Sequence, residues 1–252
     1  MSRRLVAALA CRANGSRLYG KPLQQLAAGV TILDQIVAAI RSFPIIQEIV
    51  LGISEGTANL AFIEIAKAYG LRHIVGDQKD VLSRLVACGR IASATDVFRV
   101  TTECPFFDYS MLEPAWRRHV EENNDITVLD HVPEGAGFEI YTLAALERSH
   151  REGTDGDRSE FCSNYARFNQ ARFKVRILKP APECARLDLR LTVDYPEDLI
   201  LCRAVYEEFK GKAPRIPLGE VVNFLDHRPD LKSLVAPYVD KHPVWEGQPQ
   251  RS

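Results

Sequence analysis

The sequence predicts an α/β fold, with a mostly parallel central sheet carrying helices on both faces. Two observations predict it. Short apolar runs alternate with stretches of 3.6-residue periodicity from the N-terminus to about Thr101, the rhythm of β-α-β units. The chain has 252 residues, 46% hydrophobic and 26% charged, which suits one large globular domain able to bury its own core.

Each element follows from its own pattern. Leu5 to Ala10 is short, apolar and followed by a glycine-bearing loop, so it reads as a buried strand. Thr31 to Phe43 has helical spacing and opens on Thr31 with Asp34 in its first turn. Glu48 to Ser54 is the next strand, Ala58 to Tyr69 a helix closed by Gly70, and His73 to Val75 a short strand. Asp80 is the expected N-cap of a helix over Val81 to Ala94, and Asp96 to Thr101 is a fourth strand. Beyond a helix at Met111 to Glu122 the pattern loosens. Asp125 to Leu129 and Phe138 to Tyr141 read as strands, Leu143 to His150 as a helix, and Arg151 to Ser159 as an exposed polar loop. Phe173 to Leu178 and Leu187 to Val193 are expected as strands, Pro196 to Phe209 as a helix with proline in its first turn, and Leu218 to Asp226 as a last helix. A single domain is expected over residues 1–252, with a core of about 4–210, a helical extension over 211–252 and a loosely held tail from Val239.

Composition excludes several classes. A formal net charge of −1 argues against a protein that coats nucleic acid. The N-terminal apolar run is too short for a signal peptide core, and no stretch approaches the ~20 apolar residues of a membrane span. The six cysteines are scattered without metal-finger or Cys-x-x-Cys spacing, which fits a reducing, cytoplasmic compartment.

Charge distribution says more than net charge. Between Met1 and Leu33 stand five basic residues and no acid. Three of them, Arg12, Arg17 and Lys21, flank a loop with Asn14, Gly15, Ser16 and Gly20, where backbone N–H groups, a hydroxyl and cations can gather around a triphosphate. Lys21 is followed by Pro22, so this is not a Walker A loop. On spacing alone, a basic surface turn is an equal alternative. A second pattern occurs twice: Arg99-Val-Thr-Thr-Glu103-Cys-Pro105 echoes Arg190-Leu-Thr-Val-Asp194-Tyr-Pro196. Each copy leaves an acid at a predicted strand mouth. Two such carboxylates suit Mg²⁺, which takes one or two of them and fills its octahedron with phosphate and water. The plain alternative is that each acid caps the following helix.

Arg12 to Leu23 resembles the Arg-x-x-Ser-x-Arg-Leu-x-Gly-Lys-x-Leu signature of the CMP-sugar synthetase group of cytidylyltransferases, most closely its spore coat polysaccharide biosynthesis branch. Gly76 to Arg84, Arg99 to Pro105 and Leu191 to Leu199 resemble that branch's later motifs in the same order, so the likeness runs from about Val6 to Phe209. The resemblance implies a Rossmann-like nucleotidyltransferase fold. It implies an enzyme that joins CTP to an acidic sugar or sugar-like acceptor and releases pyrophosphate, for surface polysaccharide or glycoconjugate synthesis. Carried over to matching positions, it makes Arg12 and Lys21 the catalytic cations on the triphosphate, aided by Arg17, and Glu103 and Asp194 the magnesium ligands. Asn14, Gly15, Ser16, Asp80, Arg84 and Arg99 are expected around the nucleotide, Arg84 and Arg99 having a structural ion pair as the alternative. Glu139 and Glu160 are expected on the acceptor side, with Glu139 as a solvent-facing strand residue the plain alternative. A homodimer is the family expectation.

Departures from the signature bear mainly on the acceptor. Glu103 stands where the branch has Asp, Gly15 where it has Ser, and Ser159-Glu160-Phe161 where it has Arg-Glu-His. Transfer to a phosphate or phosphonate acceptor, a noncatalytic nucleotide-binding paralogue, and a glycosyltransferase on the same fold are the alternatives. Asp155-Gly156-Asp157 copies a glycosyltransferase metal motif but sits in a polar stretch and reads as a solvated turn, and Trp116 reads as part of a packing face.

Overall fold

The computed structural model describes residues 3–15 and 17–246. The chain opens with strand β1 (Leu5–Cys11), then a small hairpin of β2 (Gln25–Ala27) and β3 (Val30–Thr31), and helix α1 (Ile32–Arg41). Next come β4 (Ile46–Ser54), α2 (Leu60–Ala68), β5 (Arg72–Gly76), α3 (Val81–Ile91), β6 (Asp96–Arg99) and α4 (Leu112–Glu121). They are followed by β7 (Ile126–Leu129), β8 (Phe138–Thr142), α5 (Leu143–Glu152), α6 (Asp155–Arg158), α7 (Asn164–Phe168) and β9 (Val175–Leu178). Helices α8 (Pro196–Phe209), α9 (Leu218–Asp226) and α10 (Pro229–Val235) close the fold.

Seven strands form one sheet in the order β5-β4-β1-β6-β8-β7-β9. All neighbours are parallel except β8, which runs antiparallel to both β6 and β7. β1 is apolar throughout because both its faces are covered: Leu5, Ala7 and Leu9 join the core beneath α1, α2 and α4, while Val6 and Ala8 join the one beneath α3 and α5. The chain first builds outward from β1 through β4 to β5, then returns to lay β6 on the other side. The order therefore reverses beside β1, the place where an open α/β sheet forms its binding crevice.

Local chemistry accounts for the boundaries. Thr31 and Asp34 close a capping box on α1, and Asp80 caps α3 through the Ser83 N–H at 2.7 Å. Four expectations change. The stretch 151–159 is not an open loop: α5 runs on to Glu152, and Thr154 with Asp157 forms a capping box that starts α6. Asp157 of the discounted Asp-x-Asp copy is thus a buried helix cap. Leu187 to Val193 alternates like a strand but makes only an isolated bridge, Glu134 to Arg190. Its backbone partners are split, the Leu191 N–H donating to Glu134 and the Val193 N–H to Glu103. Leu218 to Asp226 is followed by a further helix, α10. Finally, the tail from Val239 is held in place as far as Glu246: Trp245 is 3% exposed, and the N–H groups of Val244, Trp245 and Glu246 all donate to the Asp130 carboxylate, at 2.9, 2.7 and 3.2 Å.

Candidate active site

Three segments beyond the carboxyl ends of β1 and β6 build the site. The first is the basic loop. The Ala13 N–H donates to buried Asn59 Oδ1 at 2.7 Å, and the Gly20 N–H returns to the Ala13 carbonyl at 2.7 Å, closing the loop on itself. Gly15 is required by that closure, since a Cβ there would lie 2.4 Å from the Leu18 carbonyl oxygen. Ser16 lies outside the described residues.

The other two segments are the echoed motifs, and they lie side by side. The Val193 N–H donates to the Glu103 carbonyl at 3.0 Å, and Thr102 Oγ1 donates to the Ala10 carbonyl at 3.0 Å, which fixes the pair against the end of β1. Gly135 makes the packing possible: it has φ +89°, and a Cβ would come within 2.5 Å of the Thr192 nitrogen. Arg190, 4% exposed, ties three acids together. Its guanidinium reaches Asp198 at 2.8 Å, Asp194 at 2.8 Å and Glu134 at 2.5 Å. Asp198, not Asp194, caps α8, accepting the N–H groups of Asp194 and Tyr195 at 2.9 and 3.0 Å. The Asp194 side chain is thereby left for the cleft, where it pairs with Lys21.

The two expected metal-binding acids differ electrostatically. Burial raises the Glu103 carboxyl above its usual range, with Asp194 adding to the rise and Lys21 opposing it. Burial would also raise Asp194, but Lys21 and Arg190 outweigh it and hold that carboxyl below its usual range. An oxygen-only pair of this kind fits a hard cation such as Mg²⁺. Among the described residues no group of three or more His, Cys, Asp or Glu could enclose a metal unaided, so phosphate and water would have to complete the shell.

These groups line one cleft of about 380 Å³. Arg12, Asn14, Gly15, Arg17 and Lys21 approach from the basic loop; Glu103, Asp194 and Arg99 from the echoed motifs; and Glu160 from the segment after α6. Arg12 pairs with Glu160 at 2.6 Å, and Arg17 stacks over the Tyr195 ring at 5.0 Å. Arg84 also lines the cleft, but it is fully buried and donates to the Cys11 and Gly52 carbonyls at 3.2 and 2.7 Å, joining β1 to β4 rather than pairing with a carboxylate. Asp80 does not reach this cleft. Its carboxylate is engaged in capping α3 and in a 2.8 Å contact with His150 Nε2. Glu139 is not solvent-facing: it is buried, accepting from Arg99 at 2.7 Å and from the Trp245 indole at 3.0 Å. It lines a second cleft of about 320 Å³ that shares Arg99, Thr101, Glu103 and Glu134 with the first. Sequence reasoning missed Glu134, Asn59 and Trp245, which carry no motif. Arg190 carried a signal in the repeated arginine, although not its three partners.

Comparison with solved structures settles the fold. A cytidylyltransferase from Leptospira borgpetersenii superposes over 96% of this chain and all of its own, with a TM-score of 0.82 at 20% identity. The chain has the fold of that cytidylyltransferase. CMP:2-keto-3-deoxy-manno-octonic acid synthetase, solved with CTP, shares that cytidylyltransferase fold over 81% of this chain and 99% of its own, with a TM-score of 0.64 at 14% identity. By sequence, the chain is 27% identical to the spore coat polysaccharide biosynthesis protein SpsF of Bacillus subtilis over 225 residues, 87% of this chain and 92% of that protein. No family model matches.

Proposed function

We propose that this protein transfers a cytidylyl group from CTP to an oxygen of a small sugar-like acceptor, releasing pyrophosphate, with Mg²⁺ as cofactor. One observation carries the reading: Lys21 and Asp194, 173 positions apart in the chain, meet in a single cleft with Arg12 and Glu103. The fold shared with cytidylyltransferases and the similarity to SpsF support it, and the name of SpsF suggests a place in surface polysaccharide or glycoconjugate assembly.

In this reading Arg12 and Lys21 take the charge of the triphosphate, with Arg17 beside them. Lys21 exchanges its carboxylate partner for phosphate, which leaves Asp194 and Glu103 to hold the divalent cation. When bound, that cation neutralises phosphate charge and polarises the α-phosphate. The acceptor hydroxyl oxygen forms its bond to the α-phosphorus as the bond to the bridging oxygen breaks; the electron pair leaves with pyrophosphate and the hydroxyl proton passes to solvent. Fixed cations facing the leaving group stabilise the charge that builds there. The resemblance implies an acidic acceptor, whereas the charges of the neighbouring cleft argue for a different class.

The test is to incubate the protein with each of the four ribonucleoside triphosphates, Mg²⁺ and a panel of sugars, ulosonic acids and sugar phosphates, and to measure pyrophosphate. Release that needs both CTP and an acceptor is the expected result. Tight CTP binding without turnover on any acceptor would instead indicate a noncatalytic nucleotide-binding protein. Consumption of a nucleotide-sugar without pyrophosphate would indicate a glycosyltransferase.

A further inference from the structure

The second cleft opens from the first past Arg99, Glu103 and Glu134, so a molecule lying in it reaches the nucleotide cleft directly. Its far wall is the chain's own C-terminal segment. Asp130 clamps that segment through three N–H groups, Gln170 Nε2 donates to the Trp245 carbonyl at 2.9 Å, and Glu246 is held by His131 at 2.6 Å and Lys179 at 3.1 Å. The lining mixes apolar surface, including Leu129, Val132, Phe138 and Trp245, with acids.

The charges of the two clefts contrast. Arg12, Arg17, Lys21 and Arg84 all line the first and none lines the second. The second is lined by five acids, Glu103, Asp130, Glu134, Glu139 and Asp240, and by two groups able to carry positive charge, Arg99 and His242. Both are already paired, His242 with Asp240 at 2.8 Å and Arg99 with Glu139 at 2.7 Å. The Arg99 pair is little exposed and is pinned from behind by the Trp245 indole, which donates to the other Glu139 oxygen. The acids are committed as well, Glu134 to Arg190, Glu139 to Arg99, Asp240 to His242 and Asp130 to three N–H groups, so a carboxylate-bearing acceptor would enter a partly desolvated cleft with no uncommitted cation to receive it.

We propose that the second cleft seats the acceptor and that Glu139, held by Trp245, is its specificity residue: by occupying Arg99 it turns the site toward acceptor bodies without negative charge. The proposal rests on the transfer reading for its chemistry. It is tested separately, by binding alone, so that each can fail without the other.

The probes are three hexoses of one skeleton, galactose, galactosamine and galacturonate, titrated into nitrogen-15-labelled protein with CTP and EDTA, so that no transfer follows binding. The readout is the Trp245 indole N–H resonance. Galactose and galactosamine are expected to shift it, with galacturonate weaker by about tenfold, a modest penalty for a carboxylate left without a cation. Glu139→Gln frees Arg99 as a cation facing the cleft, and should bring galacturonate level with galactose or ahead of it. Glu134→Gln removes one acid at the junction but leaves the Arg99–Glu139 pair in place, so galacturonate should stay weaker than galactose in that variant. Galacturonate binding to the unaltered protein as tightly as galactose would overturn the charge selection. A Trp245 resonance that none of the three sugars moves would overturn the seat.

Discussion

At the scale of single residues, the site is a set of charges whose values depend on one another. Lys21 is the clearest case, since it already sits on Asp194 and opposes the rise at Glu103. Lys21→Ala is expected to cut pyrophosphate release by two to three orders of magnitude, about 3–4 kcal/mol of transition-state stabilisation, with circular dichroism and unfolding midpoint close to those of the unaltered protein. Retained turnover would remove Lys21 from the mechanism. A pH effect follows from the same pair. Metal binding needs both carboxylates ionised; Glu103 is raised and Asp194 lowered, so on acidification Glu103 protonates first. The Mg²⁺ affinity of the CTP-bound protein should fall as pH drops through the raised Glu103 range, and Lys21→Ala should move that limb to higher pH, because the lost cation had lowered both acids. Magnesium titrations across pH 4–8 would show it, and an acid limb unchanged in Glu103→Gln would count against the assignment. These residues were legible because they carry charge in motifs: Arg12, Arg17, Lys21, Glu103 and Asp194 all line the expected cleft. The solvent-facing alternative for Glu139 and the nucleotide-side expectation for Asp80 fail for a different reason. A carboxylate's partner can come from anywhere in the chain, as Trp245 and His150 do for these two, 106 and 70 positions away.

At the scale of elements, the start of α8 decides where Asp194 can point. A sequence showing Asp194, Pro196 and Asp198 together leaves the choice of capping residue open, and the structure gives the task to Asp198. The same carboxylate holds Arg190 through two nitrogens, at 2.8 and 3.1 Å, in buried surroundings. Asp198→Ala is therefore expected to cost about 3 kcal/mol in urea unfolding, from a lost helix cap and a buried guanidinium short of one partner. Asp198→Asn keeps the acceptor oxygen for the cap and should cost less. A loss below about 0.5 kcal/mol for the alanine variant, the usual range for surface changes, would show that the network is not structural. Helix α8 itself was read to the residue, Pro196 to Phe209, because proline marks its start. Leu187 to Val193 was misread for the converse reason: inward Leu189, Leu191 and Val193 alternate as in a strand, but strand identity also needs one continuous backbone partner, which apolar alternation cannot report.

At the scale of the whole molecule, sheet order and chain ends cooperate. The reversal of strand order beside β1 opens the crevice, and the acid-free N-terminal loop and the second echoed motif close on it from opposite ends of the sequence. The sheet was legible as an alternation, whereas the path of the C-terminal segment was not, because a clamp made by one aspartate on three backbone N–H groups leaves no side-chain pattern in the segment it holds. That clamp also makes the last described residues behave as a unit. The amides of Val244, Trp245 and Glu246 share one acceptor, so Asp130→Ala should free all three together, with hydrogen exchange rising in step at these positions. Amides in the centre of β1, such as that of Leu9, belong to the core between the two helical layers and should keep their protection. Release of the segment would also loosen the Trp245 hold on Glu139, so the indole N–H of Trp245 should exchange faster in the same experiment. If the three amides open independently, or if β1 loses protection with them, the segment is not a separate closing element but part of the global fold.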